Sequence, residues 1–279
     1  MTIEATARTS AAIRREEPVP EALTVTERIC VDDICFDNID TPTALAVIRT
    51  FLHETQPCPV RQVSFANVHS ISIARYDHEL RYALHRADLV LPDGSGLALA
   101  GRLNGLPIRE NLNGTDFIPR VLDLLGSERR SVFLLGGHPD VVAACREVLT
   151  QQYPGLRIAG SHHGHFTGSE DRVIQHMIME TRPDVLLVAL GSPLQEIWMA
   201  RVALQLPVRV CFTVGGLFDF LSGGKKRAPR WLQRLGLEWL FRFMMDPRAK
   251  WERVVVEIPW FLFRILTQQI TVTRSSRRW

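Results

Sequence analysis

Val185-Leu-Leu-Val-Ala-Leu190, followed at once by Gly191-Ser-Pro193 and a stretch to Gln205 with apolar residues at helical spacing, decides the fold. Six aliphatic residues without alternation are what a strand shows when both faces of its sheet are covered, and the glycine and proline behind it punctuate a strand-to-helix turn. The same unit recurs in both directions. Strand-like runs are read at 62–66, 88–91, 131–135, 156–159 and 208–214, and amphipathic segments at 139–152, 170–181 and 193–205. Helices between consecutive strands permit parallel pairing and cover both faces, so the fold class is α/β, a Rossmann-like three-layer core with a mainly parallel sheet.

Composition agrees. With 279 residues, 46% hydrophobic and 23% charged, and a mean hydropathy of +0.01, the chain suits one large α/β domain or two modest ones and neither a disordered nor an integral membrane protein. Apolar stretches such as 258–263 fall far short of the roughly 18 residues that would span a bilayer. Residues 1–25 mix Ala, Thr, Arg, Glu and two prolines without periodicity, and are expected to be a disordered lead-in without the apolar segment of a secretory signal. Five cysteines, odd in number and without a C-x-x-C pair, suit a reducing cytoplasm.

The core is assigned to 26–224. Beyond it, residues 225–279 change pattern to two helix-like segments, about 230–245 and 247–269, divided by Asp246 as N-cap and Pro247 as first-turn proline. This helical appendage holds five of the six tryptophans. From Gly223 to Trp279 there are thirteen Lys or Arg against four acidic residues, a net +9 that leaves −6 for the rest. A basic terminal segment on an acidic body suits contact with phosphates of lipid headgroups, nucleic acid or a nucleotide, and equally a solvated helical face.

Ligands of open parallel sheets bind beyond the carboxyl ends of the strands, so the residues after each strand are the candidates. Asn67 has an amide that suits a sugar hydroxyl or a helix cap. Asp93, in Pro92-Asp-Gly94-Ser-Gly96, stands where a carboxylate serves either as general base or as turn former, and Gly94 lets the backbone approach a ligand. In Asn113-Gly-Thr115-Asp116, Thr115 or Asp116 is expected to cap the next helix. Ser192, Pro193 and Gln195 fit a capping box, while Gly191 opens a helix N-terminus suited to a diphosphate. Gly215 and Gly216 allow close approach after the last core strand, and Asp219 behind them suits a hydroxyl ligand or a cap.

Other chemistries lack their signatures. No G-x-G-x-x-G follows a strand, Gly223-Gly-Lys-Lys-Arg227 lacks P-loop spacing, and no G-x-S-x-G elbow is present. His162, His163 and His165 lie in a glycine-containing loop without matching carboxylates, so no metal site is assigned.

The ordered set of blocks resembles the WecG/TagA/CpsF family of bacterial glycosyltransferases. It comprises Asn67, Ala87-Asp-Leu-Val-Leu-Pro-Asp-Gly94, Asn113-Gly-Thr-Asp116, Phe133-Leu-Leu-Gly136-Gly137, Gly164-His-Phe166, the 183–193 run, Gln195-Glu196 and Trp198. It continues through Val214-Gly-Gly-Leu-Phe-Asp-Phe220, Arg227-Ala-Pro229 and Gly236-Leu-Glu-Trp-Leu-Phe-Arg242. The resemblance spans about 29–253 and implies inverting transfer of a sugar from a UDP-sugar to a polyprenyl-diphosphate-linked saccharide during synthesis of a surface polymer. It further implies no cofactor, no metal and no nucleic-acid partner. Location would be peripheral, on the cytoplasmic face of the inner membrane, with self-association left open.

Matched position by position, Asp93 takes the place of the catalytic base, and Asn67 and Gln195 those of pocket residues. Asp219 matches the aspartate of the glycine-rich loop. Arg242, Arg248 and Arg253 match appendage arginines that meet the diphosphate. Phe65 stands where members often carry Thr, Leu194 where a basic residue is common, and Asn111 where many carry Arg, with Arg109 two residues earlier. Two other readings stand beside this one: a nonenzymatic α/β protein binding nucleic acid through its basic tail, and a glycosyltransferase with a soluble acceptor. On either enzymatic reading, residues 26–224 are expected to form a body that folds without the appendage.

Overall fold

The computed structural model describes residues 25–55, 59–225, 227–229, 231–232, 237–245, 247 and 251–278, with the side chains of 25, 203, 242, 252–254 and 278 excepted. The expected lead-in up to residue 24, the Asp246 cap and Arg248 lie outside the described residues.

The chain opens with a hairpin of β1 (Val25–Val31) and β2 (Ile34–Asp37), followed by α1 (Thr41–His53). Strand and helix then alternate: β3 (Arg61–Ala66), α2 (Val68–Ala74), α3 (His78–Arg86), β4 (Leu89–Pro92), α4 (Ser95–Leu103) and α5 (Gly114–Ser127). The second half repeats the rhythm with β5 (Ser131–Gly136), α6 (Pro139–Gln152), β6 (Arg157–His162), α7 (Gly168–Thr181), β7 (Val185–Ala189), α8 (Leu194–Val202), β8 (Val210–Thr213) and α9 (Leu217–Leu221). Beyond these, the described residues include α10 (Glu238–Met245), a π-helical segment (Glu252–Glu257), α11 (Ile258–Leu266) and a strand, β9 (Val272–Arg278).

Six strands form one sheet in the order β4-β3-β8-β7-β5-β6, every neighbouring pair parallel. Alternation within β7 shows why its sequence is continuously apolar. Leu187 packs with α1, α5 and α6 on one face, while Leu186 and Val188 meet Ile174 and Ile178 of α7 and Met199 of α8 on the other. The three-layer Rossmann-like expectation therefore holds, and each strand predicted in the core is present.

Asp184 fixes the amino ends of this sheet. It accepts from Ser131 N at 2.8 Å, Ser131 Oγ at 2.7 Å and Arg130 Nη1 at 3.2 Å, tying β7 to β5. Its carbonyl receives the amides of Arg209 and Val210, tying β7 to β8. Burial alone would push the carboxyl up, but the bonds from Ser131 and Arg130 outweigh it and hold its pKa below the ordinary value. A depressed folded-state pKa means stability that is complete above the unfolded pKa near 4 and is lost as pH falls through the lower folded value. Asp184→Asn is therefore expected to lower stability at pH 7 by about 1–3 kcal/mol and to narrow the gap to wild type in acid; denaturant titrations at pH 7 and pH 3 measure both.

Two departures concern the chain's ends. Cys30 and Cys35 face each other across the β1–β2 hairpin and are joined by a disulfide. That corrects the inference of a reducing cytoplasm from five cysteines without a C-x-x-C pair, because hairpin register brings together residues that spacing alone leaves unrelated. Cysteine usage therefore no longer argues for a reducing compartment. The segment after Gly224 is helical as expected but also carries β9, which pairs antiparallel with β1 over all seven residues, from Val25↔Arg278 to Val31↔Val272. Phe261 of α11 is 2% exposed and packs with Ile265 and Ile270 against Ile29, Phe36, Val68 and Leu97. Among the described residues no helix is long and apolar enough to cross a membrane.

Candidate active site

A cavity of about 730 Å³ opens at the carboxyl ends of β3, β4, β7 and β8. Its lining includes Asn67 and Asp93 from the first pair of strand ends, Gly191 and Gln195 from the third, and Gly215 and Gly216 from the fourth. Thr115 at the start of α5 completes the predicted set that meets here.

Asn67 is the cap of α2 and a lining residue of the cavity, using different atoms for the cap and for its contact with Asp93. Its Oδ1 accepts from Ser70 N at 3.0 Å, capping α2 in a reciprocal box with Ser70 Oγ. That use of the oxygen turns the amide nitrogen toward Asp93, whose Oδ2 lies 3.4 Å from Asn67 Nδ2. Asp93 is itself held by its backbone, its amide donating to Ala66 O at 2.7 Å. The chain then passes through Gly94 at φ +103°, a left-handed conformation that glycine adopts without strain. Asn111 Oδ1 accepts from Gly94 N at 2.7 Å. The Asp93 turn is thus fixed on both sides.

Gln195 is not the capping residue that its spacing suggested. Because α8 begins at Leu194, Gln195 is its second residue, and its side chain crosses between loops. Its Oε1 accepts from Gly215 N, and its Nε2 donates to Glu196 Oε1, each at 2.8 Å. The cap of α5 also differs from expectation. Asn113, not Thr115 or Asp116, accepts the Asp116 amide at 3.0 Å, because it directly precedes the first helical residue.

Several predicted binding residues do not line the cavity. Asn111 acts through Gly94. Arg109 is exposed, and its amide donates to Asn38 Oδ1. Asp116 is clamped by Arg227 through two bonds, Nη1 to Oδ1 at 2.5 Å and Nη2 to Oδ2 at 3.0 Å, and this fork holds its carboxyl below the usual range. Asp219 pairs with Lys225 Nζ at 2.6 Å. Gly136 is a packing residue: a Cβ there would stand 2.3 Å from Ala189 O, so only glycine lets β5 end this close to β7. Arg242 and Arg253 lie in the helical appendage backbone, with side chains outside those described.

The sequence reading passed over His69, Glu196, Thr213, Lys225, Phe241 and Met245, all of which line the cavity. Thr213 carried a signal, a polar residue closing the apolar strand Val210-Cys-Phe-Thr213. Phe241 and Met245 stand four residues apart on α10 and so share a face. Through them the appendage supplies part of the wall. A second link joins His69 Nδ1 to Glu257 Oε2 of the appendage at 2.8 Å.

A carboxylate and an amide stand in a cavity at the strand ends of a parallel sheet, opposite glycine turns, which is where open α/β sheets offer a binding crevice. Residues 29–275 match the glycosyl transferase WecG/TagA/CpsF family, and the chain belongs to it. It is a glycosyltransferase. An N-acetylglucosaminyldiphosphoundecaprenol N-acetyl-beta-D-mannosaminyltransferase of Bacillus spizizenii is 33% identical over 186 residues, covering 67% of this chain and 71% of the relative. Proteins of the same name from Bacillus subtilis and Staphylococcus aureus are 30% identical over 208 residues and 28% identical over 253. The latter alignment covers 90% of this chain and 97% of the relative.

Proposed function

We propose that this glycosyltransferase transfers an N-acetylhexosamine from a UDP-sugar to a polyprenyl-diphosphate-linked N-acetylglucosamine, with inversion, in synthesis of a cell-surface polymer. The observation that carries the reading is Asp93, a carboxylate set in the cavity with Asn67 Nδ2 beside it. An inverting transfer needs one base to take the proton of the attacking acceptor hydroxyl and positive charge near the departing diphosphate. Asp93 is suited to the first task. For the second, Lys225 lies in the lining, and Arg242 follows Phe241 on α10. The names of the relatives support the acceptor assignment.

Membrane contact is assigned to the appendage. Trp251 is 55% exposed and Trp260 57%, with Val255, Val256 and Phe263 also exposed, and the surrounding sequence is rich in Lys and Arg. Aromatic groups at the headgroup level and cations against anionic lipid suit such a surface, which would bring the lipid-linked acceptor to the wall that Phe241 and Met245 form. Location on the cytoplasmic face of the inner membrane is part of the same proposal and rests on the nucleotide-sugar donor, not on the appendage or the cysteines. The test is a panel of UDP-sugars offered with vesicles containing a polyprenyl-diphosphate N-acetylglucosamine, with product linkage read by NMR. Transfer only to a water-soluble acceptor would overturn the membrane part, and absence of transfer from every UDP-sugar would overturn the donor.

A further inference from the structure

Besides Asp93, the cavity is lined by buried residues whose polar atoms the fold does not fully satisfy. Glu196 is 1% exposed and Thr213 is 1% exposed, yet both line the cavity. Glu196 Oε1 is used by Gln195; Glu196 Oε2, Thr213 Oγ1 and Ser192 Oγ complete no well-aligned hydrogen bond among the described residues, with only a loose contact from the Ser192 hydroxyl to the Glu196 carboxyl. Burial pushes the Glu196 carboxyl up, against the lowering effects of hydrogen bonding from Gln195, from its own backbone and from Ser192. An unmet buried hydroxyl or carboxyl oxygen costs free energy that a scaffold has no reason to retain. These three sit together at the ends of β7 and β8, beside the bond from Gln195 to Gly215.

We propose that Glu196, Thr213 and Ser192 form a subsite for the hydroxyl groups of a sugar ring. This deepens the glycosyl-transfer reading and rests on it. A sugar hydroxyl both donates and accepts, so it can serve a carboxyl oxygen and an alcohol at the same time. A phosphate fits poorly, because it would meet an acidic side chain out of water. A diphosphate is better served by a cation such as Lys225, which also lines the cavity. The same chemistry is offered by the ribose of the nucleotide, by the sugar of the donor and by the sugar of the acceptor, and the experiment separates them.

Glu196→Gln and Thr213→Val keep side-chain shape while changing the polar atoms. Binding of UDP, UDP-N-acetylmannosamine and a short-chain lipid diphosphate of N-acetylglucosamine is measured by calorimetry on each full-length variant, with melting temperatures alongside. Loss of a hydrogen bond to a buried partner is expected to weaken binding about tenfold or more, while Thr213→Val keeps or raises the melting temperature. An equal loss for UDP and UDP-N-acetylmannosamine assigns the ribose; a loss for UDP-N-acetylmannosamine alone assigns the donor sugar; a loss for the lipid probe alone assigns the acceptor. Affinities unchanged within twofold for all three probes in both variants, or a lowered melting temperature with unchanged affinities, overturn the inference and make the cluster internal scaffolding. If the wild type binds no uridine nucleotide, the donor assignment fails while the lipid probe still tests the subsite; a wild type that binds none of the probes ends the inference as well.

Discussion

Asp93→Asn lowers the rate of sugar transfer about 10²- to 10⁴-fold and leaves the protein folded. The substitution keeps the size of the side chain and an oxygen for Asn67 Nδ2, so the 3.4 Å contact persists. Backbone placement is also independent of the carboxylate, since Ala66 O receives the residue 93 amide and Asn111 holds that of Gly94. What the amide lacks is basicity. A base acts on the acceptor hydroxyl as the new bond forms, so the loss falls on kcat, with KM for the donor little changed. Turnover near that of the wild type, in a protein of wild-type melting temperature, would remove Asp93 from the base role and transfer attention to His69, which lines the same cavity.

The parts of the fold that the sequence disclosed are those governed by local periodicity. The run 185–190 must be buried on both faces, and the 139–152 segment coincides with α6 residue for residue. Pairings between distant segments left no such trace. Val272-Thr-Arg-Ser-Ser-Arg-Arg278 has no alternating apolar face, because β9 is held at one edge by β1 and largely faces solvent. The candidate site was legible to a similar degree. Residues placed directly after strands, such as Asn67, Asp93 and Gly191, meet in the cavity because strand ends converge in any parallel sheet. Asp116 and Asp219 stood in equally suggestive glycine-rich contexts but are paired with Arg227 and Lys225, partners 111 and 6 residues away. Glu196 was hidden for the opposite reason: a glutamate in the first turn of a helix reads as an exposed residue favouring the helix dipole, and only packing of α8 over the sheet buries it.

Ending the chain after Gly224 is expected to abolish the cooperative folding transition, contrary to the expectation that 26–224 stand alone. The deletion strips β1 of its seven-residue partner and leaves it in a two-stranded hairpin, an arrangement marginal in water. It also uncovers the apolar cluster of Ile29, Phe36, Val68 and Leu97 by removing Phe261, Ile265 and Ile270, buried side chains that contribute roughly 1.5–3 kcal/mol each. Arg277 adds a third loss. Its guanidinium donates to Ala87 O at 3.0 Å and to Asp88 O, and lies 3.6 Å from Asp37 Oδ2. Asp37 is fully buried, with Arg28 Nε at 3.2 Å as its other cation, and depriving a buried carboxylate of a partner typically costs about 3–5 kcal/mol. Together these exceed the roughly 5–15 kcal/mol by which a domain is stable, or come close to it. A graded pair of deletions separates the contributions. Ending after Thr271 removes only β9 and Arg277 and should lower the melting temperature while a transition remains; ending after Gly224 should leave none. A sharp, wild-type-like calorimetric transition for the shorter chain would show that the α/β core folds without α11 and β9, and that the burial of Phe261 serves to dock the appendage and not to hold the core.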